Sequence, residues 1–473
     1  MKNLTRTFTE QIEIIHTRRA ALLKENPPTL PEQALAEKCE AYFSETQGSR
    51  KAFEQAEQVF PEGVQHHNTF VAPYPLFIEH ALGSKVYDVD GNEYIDWTMG
   101  AGAKLFGHNP LHEIEAHQAL TSHCFPLFHH TEEIELAQKV LNLMPSVELI
   151  KFFQSGTEAV QAAIRLARAE RKRNMIVKVS GGYHGWMGSL IRDIRLPGTD
   201  TFFMPGISKE ESNQCLSVMP NDLDMLHRKI KKHNRRVAGV IVELPGPESG
   251  RIPLFPDFVH EIESLCRKHE LLFILDETVS GFRLGPGGAQ EAYGLEPDLT
   301  ILGKILGGGT SLSAVGGRRD LINYFSRNFT RFVKKKAVYV GGTMTANRLA
   351  TGLGLSTLKA IEEKTPYSAM DANAAQLVHR LNTLFQSAGR PFFAYHFGSI
   401  VQIELVGWPS TFSLRRILDI RKRLSAIEQH QLFLQSEGIL SLSGTRFFLS
   451  YAHSVDDISH LVRGYERLLD LMK

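Results

Sequence analysis

Two residue pairings in this chain invite a chemical reading before any fold is considered. Lys304 lies in Asp298-Leu-Thr-Ile-Leu-Gly-Lys-Ile-Leu-Gly-Gly-Gly309, one short turn past a run that reads as a buried strand, and between glycines. A cation there is costly unless it has a use: desolvation favours the neutral amine, and a neutral amine attacks carbonyls. Upstream, Leu271-Leu-Phe-Ile-Leu-Asp276-Glu277 ends an apolar strand in carboxylates and runs into Ser280-Gly281-Phe282-Arg283. An acid at a strand end and a lysine in a glycine-rich turn are what pyridoxal phosphate (PLP) chemistry requires. The lysine forms an imine with the cofactor, and the acid keeps the pyridine nitrogen protonated so that the ring accepts electrons.

Other parts of such a site follow in workable order. Gln154-Ser-Gly-Thr-Glu-Ala159 comes after a strand and opens a helix carrying Ala162, Ala163, Leu166 and Ala167. Its first backbone N–H groups, the helix dipole and two hydroxyls suit a phosphate, and Ser155 or Thr157 also suits a plain N-cap. Ser180-Gly-Gly-Tyr-His-Gly-Trp186 again follows a strand; Tyr183 can stack on a pyridine ring, and His184 reads as a catalyst or as an orienting neighbour. Glu243 ends Gly-Val-Ile-Val-Glu, either as a salt-bridged terminus or near the ring, where it could hold an arginine. Thr343, in Val340-Gly-Gly-Thr-Met-Thr-Ala-Asn347, offers a further donor to phosphate or a generic cap.

These residues need elements to position them. Candidate strands are Leu149–Phe153, Met175–Val179, Gly239–Glu243, Leu271–Asp276 and Leu299–Leu302, separated by amphipathic helical stretches such as Ala159–Arg171 and Phe258–His269. That alternation predicts a mostly parallel sheet with helices on both faces, and ligands in such sheets bind beyond the carboxyl ends of the strands. Ser155, Glu243, Asp276 and Lys304 all fall there. The expected organisation is a helical extension over 1–50, a segment over 51–110 joining the small domain, a large cofactor-binding domain over 111–345 and a small α+β domain over 346–473. Within 51–110, Lys85–Asp96 reads as two strands about an Asp-Gly-Asn turn. Ile12, Ile15, Leu22 and Leu23 of the extension could dock on the body or on a partner subunit.

Composition narrows the function classes. The 473 residues are 42% hydrophobic and 22% charged with formal charge +1, so no global field favours nucleic acid or an anionic membrane. The basic runs Arg228–Arg236 and Lys334–Lys336 lack interleaved aromatics and read as solvated faces. Cys39, Cys124, Cys215 and Cys266 are scattered without C-x-x-C spacing, which argues for a reducing compartment and against a zinc site or a disulfide framework. No apolar run reaches membrane-spanning length, and Glu10 and Glu13 break any targeting pattern, so the cytoplasm is the expected location. Adjacent His66 and His67 have no further ligand at metal spacing; no metal is expected, and a substrate-pocket role suits them better.

Taken in order, Ser155-Gly-Thr-Glu-Ala, Gly182-Tyr-His-Gly, Asp276-Glu, Gly281-Phe-Arg, Gly303-Lys304 with its glycines, and Gly342-Thr343 resemble the class III PLP-dependent aminotransferases, in the branch that contains glutamate-1-semialdehyde aminomutase. The likeness runs from about Phe60 to the C-terminus. It implies the type I PLP fold, a large domain with a mostly parallel sheet plus a smaller α+β domain, and a homodimer with shared active sites. It also implies roles: Lys304 for the imine and for proton transfer, Asp276 for the pyridinium and Tyr183 for stacking. Ser155, Gly156 and Thr157 would hold the phosphate, with Thr343 reaching in from the neighbouring subunit.

The departures from that family decide the expected activity. Thr278 stands where the family usually packs Val, Ile or Met on the ring, and Arg348 stands where a proline usually follows Asn347. In Gly63–Phe70 the aminomutases carry an arginine that grips the substrate carboxylate, yet no arginine lies between Arg50 and Arg165; near Gly444-Thr445 their glutamate is absent, with Arg446 close by. Losing such a clamp costs a few kcal/mol, about the value of charge-assisted hydrogen bonds. The expectation is therefore a transaminase moving an amino group from an amine or amino-acid donor to a keto or aldehyde acceptor by way of pyridoxamine phosphate. Its substrates are small molecules, free or carrier-bound, with His66 and Arg446 as substrate contacts. The alternative is intramolecular transfer of the aminomutase type.

Overall fold

The computed structural model describes residues 2–66, 70–124, 127–199, 204–326, 337–407 and 417–472, with 2–7 in backbone only. His67 and the run Lys334–Lys336 lie outside these. In chain order the strands are β1 Ile78–Leu82, β2 Lys85–Asp88, β3 Glu93–Asp96, β4 Leu149–Phe153, β5 Met175–Val179, β6 Cys215–Val218 and β7 Val237–Glu243. They continue with β8 Leu272–Glu277, β9 Leu299–Leu302, β10 Ser313–Gly317, β11 Phe393–Phe397, β12 Ile400–Glu404, β13 Ile439–Leu440 and β14 Arg446–Phe448. By internal contacts the chain forms two compact units, one from residues 2–13 and 111–365, the other from 14–110, 366–407 and 417–472.

The first unit is built on a seven-stranded sheet in the order β4-β10-β9-β8-β7-β5-β6. Strands β6, β5, β7, β8 and β9 run parallel, and β10 pairs antiparallel with both β9 and β4. Alternation along buried strands sends successive side chains to opposite faces. Ile176, Ile241, Ile274 and Ile301 pack with Ala159, Ala163, Leu166 and Ala167 of the helix Gly156–Arg171. Val177, Val240, Val242, Phe273 and Leu275 face the other way, against Leu226 and Ile230 of Leu223–His233 and Val259, Ile262 and Leu265 of Pro256–His269. Each large aliphatic side chain so buried contributes about 1.5–3 kcal/mol. Strands β6 and β10 were absent from the sequence reading. Ser313-Ala-Val-Gly-Gly is small and glycine-rich, a poor strand signal by composition, and it is buried throughout because neighbours cover it.

The second unit carries a four-stranded sheet, β1-β2-β3-β13, and a three-stranded antiparallel sheet, β11-β12-β14. The expected strands about Asp90-Gly91-Asn92 are β2 and β3, with Lys85 opposite Ile95. The helix Tyr367–Ser387 of this unit begins after Pro366, and the helix Arg348–Lys364 before it belongs to the first unit. Residues 1–50 form the helices Lys2–Leu22 and Glu32–Glu45 and the start of Gln47–Ala56. Ile12, Ile15 and Leu22 are buried within the chain, and Arg19 makes a buried ion pair with Glu404 at 2.5 Å while donating to the Tyr395 hydroxyl at 2.8 Å. Among the described residues no helix is long and apolar enough to cross a membrane.

Candidate active site

The site begins where β8 ends. Asp276 shares a face with Ile274, the face that the helix Gly156–Arg171 covers. Its Oδ1 accepts the Thr278 backbone N–H at 3.1 Å and the Thr278 hydroxyl at 2.6 Å; its Oδ2 lies 2.7 Å from Nδ1 of His184. A carboxylate only accepts, so that imidazole carries its proton on Nδ1. A carboxylate has about four acceptor positions, and these three donors occupy both on Oδ1 and one on Oδ2. Among the described residues, Nε2 of His184, in a side chain 1% exposed, has no hydrogen-bond partner.

His184 and Tyr183 sit in a loop after β5 that a buried cation organises. Lys178, fully buried, donates from Nζ to the carbonyls of Gly182 at 2.9 Å, Leu190 at 3.1 Å and Arg192 at 2.8 Å. Burial pushes its pKa down, and the nearby Asp193 charge opposes that. Asp193 closes the loop by accepting from the Gly181 N–H at 2.9 Å and the Ser180 hydroxyl at 2.7 Å. Sequence reading missed this pair, although a lysine inside Met-Ile-Val-Lys-Val is a visible anomaly. Tyr183 is 47% exposed, so one part of its ring is open, and burial of the rest lifts its pKa.

The loop touches the helix N-terminus at Gly185, whose backbone has φ 77°; a Cβ there would stand 2.4 Å from Oγ1 of Thr157. Only glycine permits both the conformation and the approach. Ser155 is the N-cap of Gly156–Arg171, its hydroxyl oxygen accepting from the Glu158 N–H at 3.3 Å. That leaves the hydroxyl proton available, and helix geometry gives the Gly156 and Thr157 N–H groups no acceptor in their own helix. The cap reading and the anion reading of this loop are therefore compatible. Ser313 of β10 donates to the Ser155 carbonyl at 2.7 Å, which ties the loop to the sheet.

Lys304 opens a short 3-10 turn directly after β9, half-buried, with φ 51°. Parallel register sets Asp276 opposite Ile301, three residues before Lys304. A left-handed backbone at a non-glycine residue is strained and frequent at functional positions. Gly303 brings the strands close: a Cβ there would be 3.1 Å from Cγ2 of Thr278, and one at Gly156 would be 3.4 Å from the same methyl. Thr278 thus sits among the acid, the anion loop and the lysine turn.

Glu243 ends β7 in register with Asp276, and its Oε1 accepts the Glu248 backbone N–H. Glu248 in turn pairs with Arg195 at 3.0 Å and Arg251 at 3.3 Å. Thr343 is exposed on the turn after Tyr339, whose carbonyl accepts from Arg165 at 2.8 Å. Arg348 pairs with Glu132 at 2.7 Å, which gives the residue at the usual proline position a fixed partner. In the second unit, Arg446 of β14 is buried with its guanidinium 5.7 Å from the Phe448 ring, and His66 is exposed.

Comparison with known proteins matches residues 67–407 to the family model for class III aminotransferases. A glutamate-1-semialdehyde 2,1-aminomutase from Persephonella marina is 34% identical over 435 residues, covering 88% of this chain and 97% of that one. An omega-transaminase from Sphaerobacter thermophilus superposes with a TM-score of 0.82 at 27% identity, covering 91% of this chain and 99% of that one. A glutamate-1-semialdehyde-aminomutase from Pseudomonas aeruginosa in complex with PMP shares the fold, with a TM-score of 0.81 at 20% identity over 97% of this chain and 99% of its own.

Proposed function

Because this chain belongs to the class III aminotransferase family and has the type I fold of its PLP-dependent relatives, we propose that it transfers an amino group between carbon centres at the cluster around Asp276 and Lys304. Pyridoxal 5'-phosphate is its cofactor, and when bound it supplies an aldehyde carbon and an electron-accepting ring. The observation that carries the reading is the acceptor position left on Asp276 Oδ2 in a nearly sealed strand end, beside a histidine that fixes the carboxylate. A ring nitrogen that must keep its proton needs such an acceptor. The donor set fits the rest of the group: the Ser155 hydroxyl and the Gly156 and Thr157 N–H groups suit a phosphate, and the open part of Tyr183 suits an aromatic ring.

In this reading Lys304 holds the cofactor's aldehyde and, once released, carries protons between substrate carbons, its short turn limiting how far the amine can stray. Asp276 keeps the ring nitrogen protonated, and His184 keeps Asp276 oriented. Glu243, anchored by the Glu248 N–H, forms the wall beside Asp276. The working unit is a homodimer in the cytoplasm, with Thr343 of the partner subunit completing the phosphate site. Phe128 and Trp186, 74% and 75% exposed, are large apolar surfaces that a second copy would cover.

Two forms of amino transfer remain, and their support differs. The curated relatives support intramolecular transfer of the glutamate-1-semialdehyde aminomutase type, which moves ahead of the two-substrate transaminase expected from the sequence. The transaminase reading keeps the support of the missing arginines between Arg50 and Arg165 and of the omega-transaminase neighbour. Arg446 and His66 are the substrate contacts proposed for either form. The test is product formation from glutamate-1-semialdehyde with no second substrate, beside a screen of amine donors for bleaching of the visible cofactor band. Conversion without a donor selects the aminomutase; donor-dependent bleaching with an inert semialdehyde selects the transaminase; no visible band at all overturns the proposal.

A further inference from the structure

The geometry points to the Thr278 hydroxyl as the group that decides which oxygen of Asp276 meets the cofactor's ring nitrogen, a positioning role that rests on the PLP reading above. The methyl of this side chain lies against Gly303, where an added Cβ would come within 3.1 Å of it, and both branches lie near Gly156, where an added Cβ would be 3.4 Å from the methyl and 3.6 Å from the hydroxyl oxygen. Its hydroxyl donates to Asp276 Oδ1 at 2.6 Å, beside the Thr278 N–H at 3.1 Å. With both donors in place Oδ1 has no acceptor capacity left, while among the described residues Oδ2 holds only His184, at 2.7 Å. The ring nitrogen therefore has one acceptor to choose, and it is the oxygen that the histidine already orients.

An aliphatic side chain at 278 fills the same space without the proton. Oδ1 then regains a vacant position, the carboxylate offers two docking geometries, and a dipole whose positive end stabilised its charge is gone. Less positive potential near the cofactor favours its protonated, more cationic forms, so its proton-linked spectral change moves to higher pH. A packing role alone gives the opposite pattern, because the methyl and not the hydroxyl is then the part that counts.

The experiment compares wild type, Thr278→Val, Thr278→Ala and Thr278→Ser, each saturated with PLP, with far-UV circular dichroism as the folding control. It reads the visible absorbance of the bound cofactor against pH and the PLP dissociation constant. Thr278→Val and Thr278→Ala should both move the spectral midpoint upward by about half a pH unit and weaken PLP binding about threefold, while Thr278→Ser stays with wild type. The inference is overturned if Thr278→Val matches wild type while Thr278→Ser departs, or if all variants match wild type, or if Thr278→Ser shifts as far as Thr278→Val. Should Thr278→Val fail to fold, Thr278→Ala against Thr278→Ser decides the same question. A wild-type protein that takes up no PLP overturns the underlying reading instead, and is recognised by the missing band before any variant is compared.

Discussion

Asp276 and Glu277 are neighbours on one strand, both carboxylates, both buried, and they end up in unlike surroundings. Glu277 accepts from Ser280 Oγ at 3.0 Å and the Ala289 N–H at 2.6 Å on one oxygen, and from the N–H and side-chain amide of Gln290, each at 3.0 Å, on the other. All of its roughly four acceptor positions are used. Among the described residues Asp276 stops at three donors and retains one position. The saturated carboxylate has nothing left to offer a ligand and serves to lock the start of the helix Gly288–Tyr293 onto the strand. A carboxylate held in place but short of one donor is prepared to accept one. Burial is common to both, so burial alone does not distinguish a chemical acid from an architectural one; the number of protein donors does.

The largest effect lies just beyond this pair. Lys304→Ala should cut turnover about 10²–10⁴-fold, the usual worth of a positioned acid and base, while the thermal midpoint stays close to wild type because the side chain is only half-buried. Normal turnover in that variant would remove the lysine from the chemistry and leave Asp276 without a function to contrast.

The comparison itself is tested by two alanines measured for both turnover and denaturant stability. Glu277→Ala strands several buried donors at once and should cost about 3 kcal/mol of stability, with the visible spectrum of the remaining folded protein unchanged. Asp276→Ala should lower turnover about 100-fold and change that spectrum, with the smaller stability loss. Reversal of the two profiles would mean that donor saturation does not mark the division.

A smaller effect appears against pH. Burial lifts the Glu277 carboxyl above the ordinary glutamate value, with its hydrogen bonds pulling the other way. The folded protein thus keeps this proton at pH values where the unfolded chain has released it, so stability from this group falls as pH rises from the ordinary glutamate value through the raised one. Glu277→Gln lacks the titration. The stability of wild type minus that of Glu277→Gln should therefore decline as pH rises above the ordinary glutamate value, and a difference that grows with pH would place the shift in the other direction.

Much of the architecture was legible in the chain because its signals are local. Leu149–Phe153, Met175–Val179 and Leu299–Leu302 appear with the bounds their apolar runs suggested, and the loops at their carboxyl ends hold the residues whose types suggested PLP chemistry. Strands β6 and β10 were not legible, since Ser313-Ala-Val-Gly-Gly becomes a strand only through the two neighbours that hydrogen-bond it. The Lys178 carbonyl cage and the partnership of His184 with Asp276 were equally hidden, because their members are brought together by loop closure and not by spacing.

Residue order alone was enough to establish which groups can do chemistry here: a lysine after one strand, an acid at the end of another, a hydroxyl-rich helix start and an aromatic loop. It could not say which of two adjacent acids would do it. That was decided by the pleat of β8, which turns Asp276 toward the helix Gly156–Arg171 and Glu277 toward the opposite face, and by the donors waiting on each side. Side-chain type is a property of the chain, but the count of hydrogen bonds a buried group receives exists only once distant segments have packed around it.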